Sequence, residues 1–165
     1  MALGNRVKSD ALTTVYDSEV YPVGTYFVQP ADEVVADDSL QGDRTWLFVE
    51  ANSDITANSL CQRDSTTHSF KAAESAASND KELMNLIGVA PHAIASGKYG
   101  WIVIRGETSV KAVAGSAGNN LTSVTGATGR AGPATGGATD SFAVFGRAIA
   151  GHSGGTIKCF VDFRG

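Results

Sequence analysis

Short apolar runs, separated by polar and glycine-rich segments, recur along this chain. The clearest run is Tyr99–Arg105, followed by Thr45–Glu50 and Gly24–Gln29. Runs of this length that are rich in Val, Ile and aromatic residues favour β-strands. Because Pro22 and Pro30 bracket the third run, it is predicted to be a short or edge strand.

The end of the chain shows the cleanest alternation. Every second residue of Thr156–Phe163 is apolar, so a strand there has one apolar face. That face carries Ile157, Cys159, Val161 and Phe163, and the opposite face carries Lys158 and Asp162.

The remaining pattern predicts the fold class. Arg63–Thr67 is a polar break between Asn58–Gln62 and His68–Ala72, which predicts a hairpin. Ala72–Leu86 has some helical character, but its apolar spacing is irregular, so a loop over the sheet is favoured over a helix. Short strands at intervals of about 8–12 residues are typical of a sandwich or a barrel. We therefore predict an all-β fold, an antiparallel β-sandwich or a jelly-roll-like domain.

Two segments of the chain echo each other. Leu86–Gly106 and Val144–Gly165 each contain an apolar stretch around a glycine, a second glycine nine residues later, and a final Arg-Gly. Glycine is favoured where a chain reverses or where another backbone approaches closely. The echo predicts two similar strand–turn–strand hairpins in the two halves of one domain.

The segment between these echoes has a different composition. Ala114–Ser141 contains seven glycines and few large apolar side chains. A segment of this kind does not form a core by itself. We predict a long Gly/Ala/Thr loop over residues 114–141, inside a single β domain of residues 23–165.

The first residues are predicted to form an extended N-terminal arm, residues 1–22. Charged residues such as Arg6, Lys8 and Asp10 stand there between isolated apolar residues. This composition favours an extended strand that a partner orders, and the alternative is a plain first strand of the sheet.

Composition and charge exclude several classes of function. The 165 residues carry a net charge of −4, which disfavours the concentrated basic face of a nucleic-acid binder. No apolar run approaches the length of a membrane span, and the first residues lack the apolar centre of a signal peptide. Cys61 and Cys159 lie 98 residues apart, which indicates free, buried thiols in a reducing compartment.

No motif amounts to a catalytic constellation. Gly151–Gly155 matches the Gly-x-Ser-x-Gly nucleophile pattern around Ser153. That motif needs a following helix and a later histidine, whereas a β-type segment follows here and no histidine does. A hairpin turn is the better interpretation. We expect that the protein is not an enzyme and has no catalytic residue.

Ligand sites are not expected either. The three histidines, His68, His92 and His152, lack the spacing of zinc ligands. The acidic residues near Asp37 and Asp43 favour a solvated loop, with a cation between subunits as the alternative. We predict no cofactor-binding and no metal-binding residue in the chain.

One segment resembles a known family. Leu86–Gly106 (LIGVAPHAIASGKYGWIVIRG) is similar to a Gly-Val-Ala…Gly-x-x-Gly-Trp-Val signature of small structural proteins of tailed bacteriophages. These are the capsid decoration, or cement, proteins. Ser109–Gly115 and the closing GGTIKCFVDFRG are similar in style. The resemblance covers the C-terminal half and implies a β-sandwich or β-tulip fold.

The resemblance also implies a function and partners. It implies a protein made in the host cytoplasm that binds the outer surface of a phage head and stabilises contacts between major capsid subunits. A homotrimer is expected, without contact to nucleic acid or membrane. The capsid-contacting residues are then expected in the arm, at Leu3, Arg6, Val7, Leu12, Val15, Tyr16 and Tyr21. The alternative is a receptor- or carbohydrate-binding β-sandwich, such as a head fibre or tail-associated adhesin, which needs an exposed aromatic platform.

Overall fold

A single hydrogen-bonded sheet contains every strand of the chain that the structure describes. The structure, a computed structural model, describes residues 9–31, 42–64, 70–75, 85–124, 127–134 and 144–163. A 3₁₀ helix at Ser9–Thr13 precedes the strands. The strands are β1 (Tyr26–Gln29), β2 (Arg44–Ala51), β3 (Ser59–Arg63), β4 (Lys71–Glu74), β5 (Leu86–Ala90), β6 (Tyr99–Lys111), β7 (Asn120–Ser123), β8 (Ala131–Pro133), β9 (Gly146–Ala148) and β10 (Thr156–Asp162). The all-β prediction is confirmed.

Half of the sheet closes on itself. The strand order begins β1-β2-β4-β3-β5-β6, and β2 also pairs with β6. Strands β2, β4, β3, β5 and β6 therefore form a ring, called here the first ring. Adjacent strands within this ring are antiparallel, except for β2 and β4, which run parallel.

The other half of the sheet forms a second ring that shares β6. Beyond the first ring, the order continues β6-β10-β9-β7-β8. An isolated bridge between Ala112 and Ala131 then joins β8 to the end of β6, and the Val113 N–H donates to the Ala131 carbonyl at 3.0 Å. We call β6, β10, β9, β7 and β8 the second ring. The sequence left sandwich and barrel open, and the strands form a barrel-like sheet.

Each ring has its own apolar core because successive strand residues point to opposite faces. The odd-numbered residues of β2 pack with residues from each of the other four strands of the first ring. The first core therefore lies inside that ring. Its members are Leu47, Val49, Ala51, Ile55, Cys61, Ala72, Ile87, Ala90, Ile94, Ile102 and Ile104.

The second core runs along the other face of β6. It fills the second ring and continues over an aromatic cluster on the outer face of the first ring. In that cluster the rings of Phe48 and Trp101 lie 5.0 Å apart, and Tyr21 lies 5.3 Å from Trp101. Trp46 donates through its indole nitrogen to the Gln29 side chain at 3.0 Å, which attaches β1 to the cluster.

The two predicted hairpins are both present. In the first echo β5 pairs with β6, and in the second β9 pairs with β10; both pairs are antiparallel. The first glycine of each echo allows a close approach, because a Cβ at Gly88 would lie 2.9 Å from the Val103 carbonyl oxygen and a Cβ at Gly146 2.4 Å from that of Phe160. Each hairpin serves a different ring. The predicted hairpin of β3 and β4 is also antiparallel.

Two sequence expectations need correction. Residues 114–141 are not one long loop, because they contain β7 and β8, with Leu121 and Ala131 fully buried. Small residues suffice there, since neighbouring strands supply the large side chains of the core. Within Ala72–Leu86, β4 replaces the start of both the favoured loop and its helical alternative, and residues 76–84 lie outside the described residues.

Candidate interaction surface

The outer face of the second ring carries an exposed aromatic side chain. Phe160 of β10 is 42% exposed and lies between Glu107 of β6 and Arg147 of β9 in the strand register. Alternation along β10 places it on the polar face, opposite Cys159 and Val161, which are fully buried. An exposed phenylalanine at the middle of a three-stranded face is a candidate anchor for a partner.

Charged side chains surround the aromatic ring of Phe160 on the same face of the sheet. Lys158 and Glu107 form an ion pair at 3.7 Å, and Arg105 and Asp162 form another at 3.7 Å. The Arg147 Nε donates to the Gly118 carbonyl at 3.3 Å, which holds that side chain toward the segment before β7. Because both ion pairs are partly solvated, they contribute little to stability, but they define a polar rim around an apolar centre.

One further apolar residue extends this surface. Ile149 is 42% exposed, and its N–H donates to the Lys158 carbonyl at 2.8 Å, so it follows β9 beside β10. We call the set Phe160, Ile149, Glu107, Lys158, Arg105, Asp162 and Arg147 the Phe160 face. Its three cations and two anions give it a net positive charge in a chain whose net charge is −4.

The N-terminal residues predicted to contact a partner are distributed differently. Leu12 is 1% exposed and lies in the chain's own core, which does not fit a contact with another molecule. Tyr16 pairs with Tyr99 through two backbone hydrogen bonds of 2.9 and 3.0 Å. Tyr21 packs against the aromatic cluster, and Val15 is 38% exposed. Leu3, Arg6 and Val7 lie outside the described residues.

The predicted arm therefore does not extend away from the body over its described part. Several apolar side chains of this segment pack against the aromatic face of the sheet without a partner, namely Ala11, Leu12, Tyr16, Tyr21 and Val23. Among the predicted contact residues that the structure describes, Val15 keeps the most exposed side chain.

A polar cluster lies where the two rings meet. The Glu74 carboxylate accepts from the Thr56 N–H at 2.6 Å, from the Ser59 hydroxyl at 2.8 Å and from the Thr56 hydroxyl. Lys111, at the end of β6, donates to the Thr56 hydroxyl. Partial burial alone would raise the pKa of Glu74, but the hydrogen bonds from Thr56 and Ser59 and the Lys111 charge hold it below its usual value.

The turn between β7 and β8 docks on this cluster. The Gly129 N–H donates to the Ser75 carbonyl at 2.7 Å, and the Leu60 N–H donates to the Gly129 carbonyl at 2.9 Å. Gly129 has a φ of 66°, and a Cβ there would lie 3.0 Å from the Ser59 hydroxyl oxygen. The cluster thus fastens the second ring to the first and has a structural role.

The nucleophile-like motif is a hairpin turn, as the sequence predicted. Ser153 and Thr156 exchange backbone hydrogen bonds of 2.9 and 3.0 Å around Gly154 and Gly155. Both glycines have positive φ, 59° and 83°, which is the geometry of a type I′ turn. Strand β10 follows, where the nucleophile motif needs a helix.

The described parts of the chain bring no three His, Cys, Asp or Glu side chains together as a metal site. Asp37 and Asp38 lie outside them, and Asp43 accepts from the Ala31 N–H at 2.9 Å. Burial raises the pKa of both Cys61 and Cys159 to about 12, which makes them unreactive thiols. In the same ranges, no helix has the length and apolar character to cross a membrane.

Sequence reasoning missed Phe160 as a surface residue. The alternation of Thr156–Phe163 assigned Lys158 and Asp162 to the outer face, and the same period places Phe160 between them. A large apolar residue on the polar face of an alternating strand was therefore the available signal.

Comparisons with known proteins identify no family. No protein-family model and no curated protein matches the chain. A solved structure titled as the N base of head fibre gp8.5 of bacteriophage phi29 is 21% identical, with a TM-score of 0.48. The match covers 73% of this chain and 95% of the other. A TM-score of this size does not establish a shared fold, and nothing about function follows from it.

Proposed function

We propose that this protein is a non-enzymatic structural component of a bacteriophage virion that binds the outer surface of the head and stabilises contacts between major capsid subunits. The observation that carries the proposal is the Phe160 face, an exposed aromatic residue with a charged rim on a rigid sheet. The resemblance of Leu86–Gly106 to decoration proteins supports the choice of partner.

The geometry of this face suits a protein partner. Interfaces place an aromatic anchor at their centre and polar residues at their rim, which exclude water from the anchor. Phe160 lies on β10, between β6 and β9, so it is held by ladders on both sides and loses little backbone freedom on binding. A protein that binds an assembled shell, but not free subunits, shifts the equilibrium toward the shell.

The homotrimer expected from the resemblance is part of the proposal. A three-fold assembly uses a heterologous contact between two different patches of each chain. The proposal requires that this contact leave the Phe160 face free for the capsid. Light scattering after size exclusion measures the mass of the protein in solution and tests for the trimer.

The direct test is binding to purified heads from which the protein is absent. We expect Phe160→Ser to weaken binding by at least about 30-fold, the effect of an interface hot spot of about 2 kcal/mol. The matched control is Val113→Ser, because Val113 is also an exposed apolar residue, at 45%, but lies outside the Phe160 face. Equal binding of Phe160→Ser and wild type, or no binding of the wild type, would contradict the proposal.

A receptor- or carbohydrate-binding module is the second candidate. It is favoured by one observation, the exposure of two aromatic rings, Tyr26 at 60% and Phe160 at 42%. Such rings can stack on a sugar or a receptor side chain. Specific binding on a glycan array that is lost in Tyr26→Ala or Phe160→Ala would favour this candidate over head binding.

A further inference from the structure

Among the strands that the structure describes, β1 lies at the end of the sheet and has a free edge. Thr25 accepts from the Phe48 N–H at 2.9 Å, so Thr25, Phe27 and Gln29 direct their backbone groups toward β2. Tyr26 and Val28 alternate with them and direct their N–H and C=O groups outward. Neither residue has a hydrogen bond on that side within the described part of the chain.

Three common kinds of edge protection are absent from β1, although the strand has only four residues. These are charges, proline within the strand, and bulges. Residues 25–29 carry no charge, the register of β1 with β2 is regular, and Pro30 follows the strand. Tyr26 and Val28 are 60% and 56% exposed, the highest values among the large apolar side chains described. This edge therefore has the properties of a strand-pairing surface.

We propose that the β1 edges of two copies of this chain pair antiparallel about a two-fold axis at Phe27. In this register, Tyr26 lies opposite Val28 of the second copy, and Val28 lies opposite Tyr26. Both outward-facing residues then form hydrogen-bonded pairs, each of which exchanges both of its N–H···O bonds. No outward backbone group of Tyr26 or Val28 remains unpaired.

The side chains and charges favour a second copy as the occupant. The register places an aromatic ring beside a β-branched side chain twice on one face, a favourable cross-strand pair. Each chain has a net charge of −4, but residues 25–29 contribute none of it, so the paired residues themselves bring no like charges together. The contact is isologous, as in most two-fold dimers, and uses none of the Phe160 face. The proposal goes beyond head binding and does not depend on it.

Cysteine cross-linking tests the register. Opposite residues of a hydrogen-bonded pair have Cα atoms about 5.5 Å apart, within reach of a disulfide, whereas diagonal neighbours lie about 7–8 Å apart. A mixture of Tyr26→Cys and Val28→Cys chains, tagged to differ in mass, should therefore give mixed disulfide dimers in several-fold excess over either homodimer under a mild oxidant. The native thiols do not compete, since Cys61 and Cys159 are buried.

Two results would overturn the register. One is a distribution of dimers that matches random pairing. The other is equal cross-linking by Val113→Cys, an exposed position away from the edge.

Solution mass provides an independent test on the otherwise native chain. Val28→Pro removes only an outward N–H, and Phe27 before it is already extended, as a residue before proline should be. At high protein concentration, we expect light scattering to give Val28→Pro half the wild-type mass, because the edge contact pairs two units, whether each unit is one chain or the proposed trimer. Val28→Thr, which keeps the N–H, should retain the wild-type mass.

An equal mass for wild type and a Val28→Pro chain with a native circular dichroism spectrum would refute the pairing. If Val28→Pro does not fold, the cross-linking ratio decides alone. Failure of either test leaves head binding through Phe160 unaffected, so the two proposals fail separately.

Discussion

The two rings share β6 but differ in the size of their side chains and the length of their strands. The first ring is filled by branched aliphatic side chains on strands of four to thirteen residues. The second is closed by β8 and β9, which have three residues each, and its wall includes Ala131, Gly132, Gly146 and Ala148. The first ring thus depends mainly on the volume of its core, and the second depends in addition on the close approach of its short strands.

This difference predicts how each ring responds to lost volume. Large branched neighbours cannot move into a cavity without leaving their rotamers, whereas short strands with small side chains can shift to fill part of it. Deletions of equal size should therefore cost more in the first ring than in the second.

The largest expected effect is that of Ile102→Ala. Ile102 is fully buried in the first core, and we expect its truncation to lower the free energy of unfolding by about 3–4 kcal/mol. Ile157 is the matched residue of the second ring, 1% exposed, and Ile157→Ala should cost about 2–3 kcal/mol because the site relaxes. Urea unfolding measures both values. An Ile157→Ala cost equal to or above that of Ile102→Ala would remove the distinction between the rings.

For added volume the order of the two rings is reversed: a larger side chain should lower the free energy of unfolding more in the second ring than in the first. A Cβ at Gly146 would lie 2.4 Å from the Phe160 carbonyl oxygen, so a backbone must move, and we expect Gly146→Ala to cost about 2–3 kcal/mol. A Cβ at Gly88 would meet the end of the Ile102 side chain at 2.8 Å and the Val103 oxygen at 2.9 Å. Gly88→Ala should therefore cost about 1–2 kcal/mol.

The control for both glycines is Gly151→Ala. A Cβ at Gly151 would have no neighbour within 4 Å. The free energy of unfolding of Gly151→Ala should therefore stay within about 0.5 kcal/mol of the wild-type value. A Gly88→Ala chain less stable than Gly146→Ala would show that close backbone approach is not what distinguishes the second ring.

The same contrast explains what could be predicted from the sequence. The apolar runs at residues 45–50 and 99–105 identified β2 and β6, because burial on both faces leaves a continuous apolar run. Strands β7 and β8 were missed because Leu121 is the one large apolar residue in them. Gly132 of β8 lies opposite Thr122, and β7 also pairs with β9, which is distant in the sequence, so no local pattern reports this arrangement.

The candidate surface was only partly accessible to such reasoning. Alternation along β10 was sufficient to place Phe160 outside, but its rim combines residues of β6 and β9 that are far apart in sequence. Among the predicted contact residues of the N-terminal segment, Leu12 is buried in the chain's own core, and the sequence did not show this. Isolated apolar residues such as Leu12 resemble a partner-ordered arm until the aromatic cluster that covers them is known.

The smallest of these effects concerns the contact between the rings. Glu74→Gln keeps the shape of the side chain but removes the charge that accepts from Thr56 and Ser59. Because the site is partly solvated, we expect a loss of about 1 kcal/mol in the free energy of unfolding at neutral pH. Glu50→Gln is the control, since Glu50 pairs with Lys71 at 2.9 Å within the first ring and does not join the two rings.

The pH dependence of that loss separates charge from shape. The pKa of Glu74 is lowered in the folded protein, so its carboxylate stabilises the fold fully above the pKa of the unfolded chain. As the pH falls through the lower, folded pKa, the carboxylate is protonated and this contribution disappears. The difference in unfolding free energy between wild type and Glu74→Gln should therefore shrink from neutral pH into the acidic range. A difference that stays constant with pH would mean that the Glu74 charge contributes nothing to holding the second ring on the first.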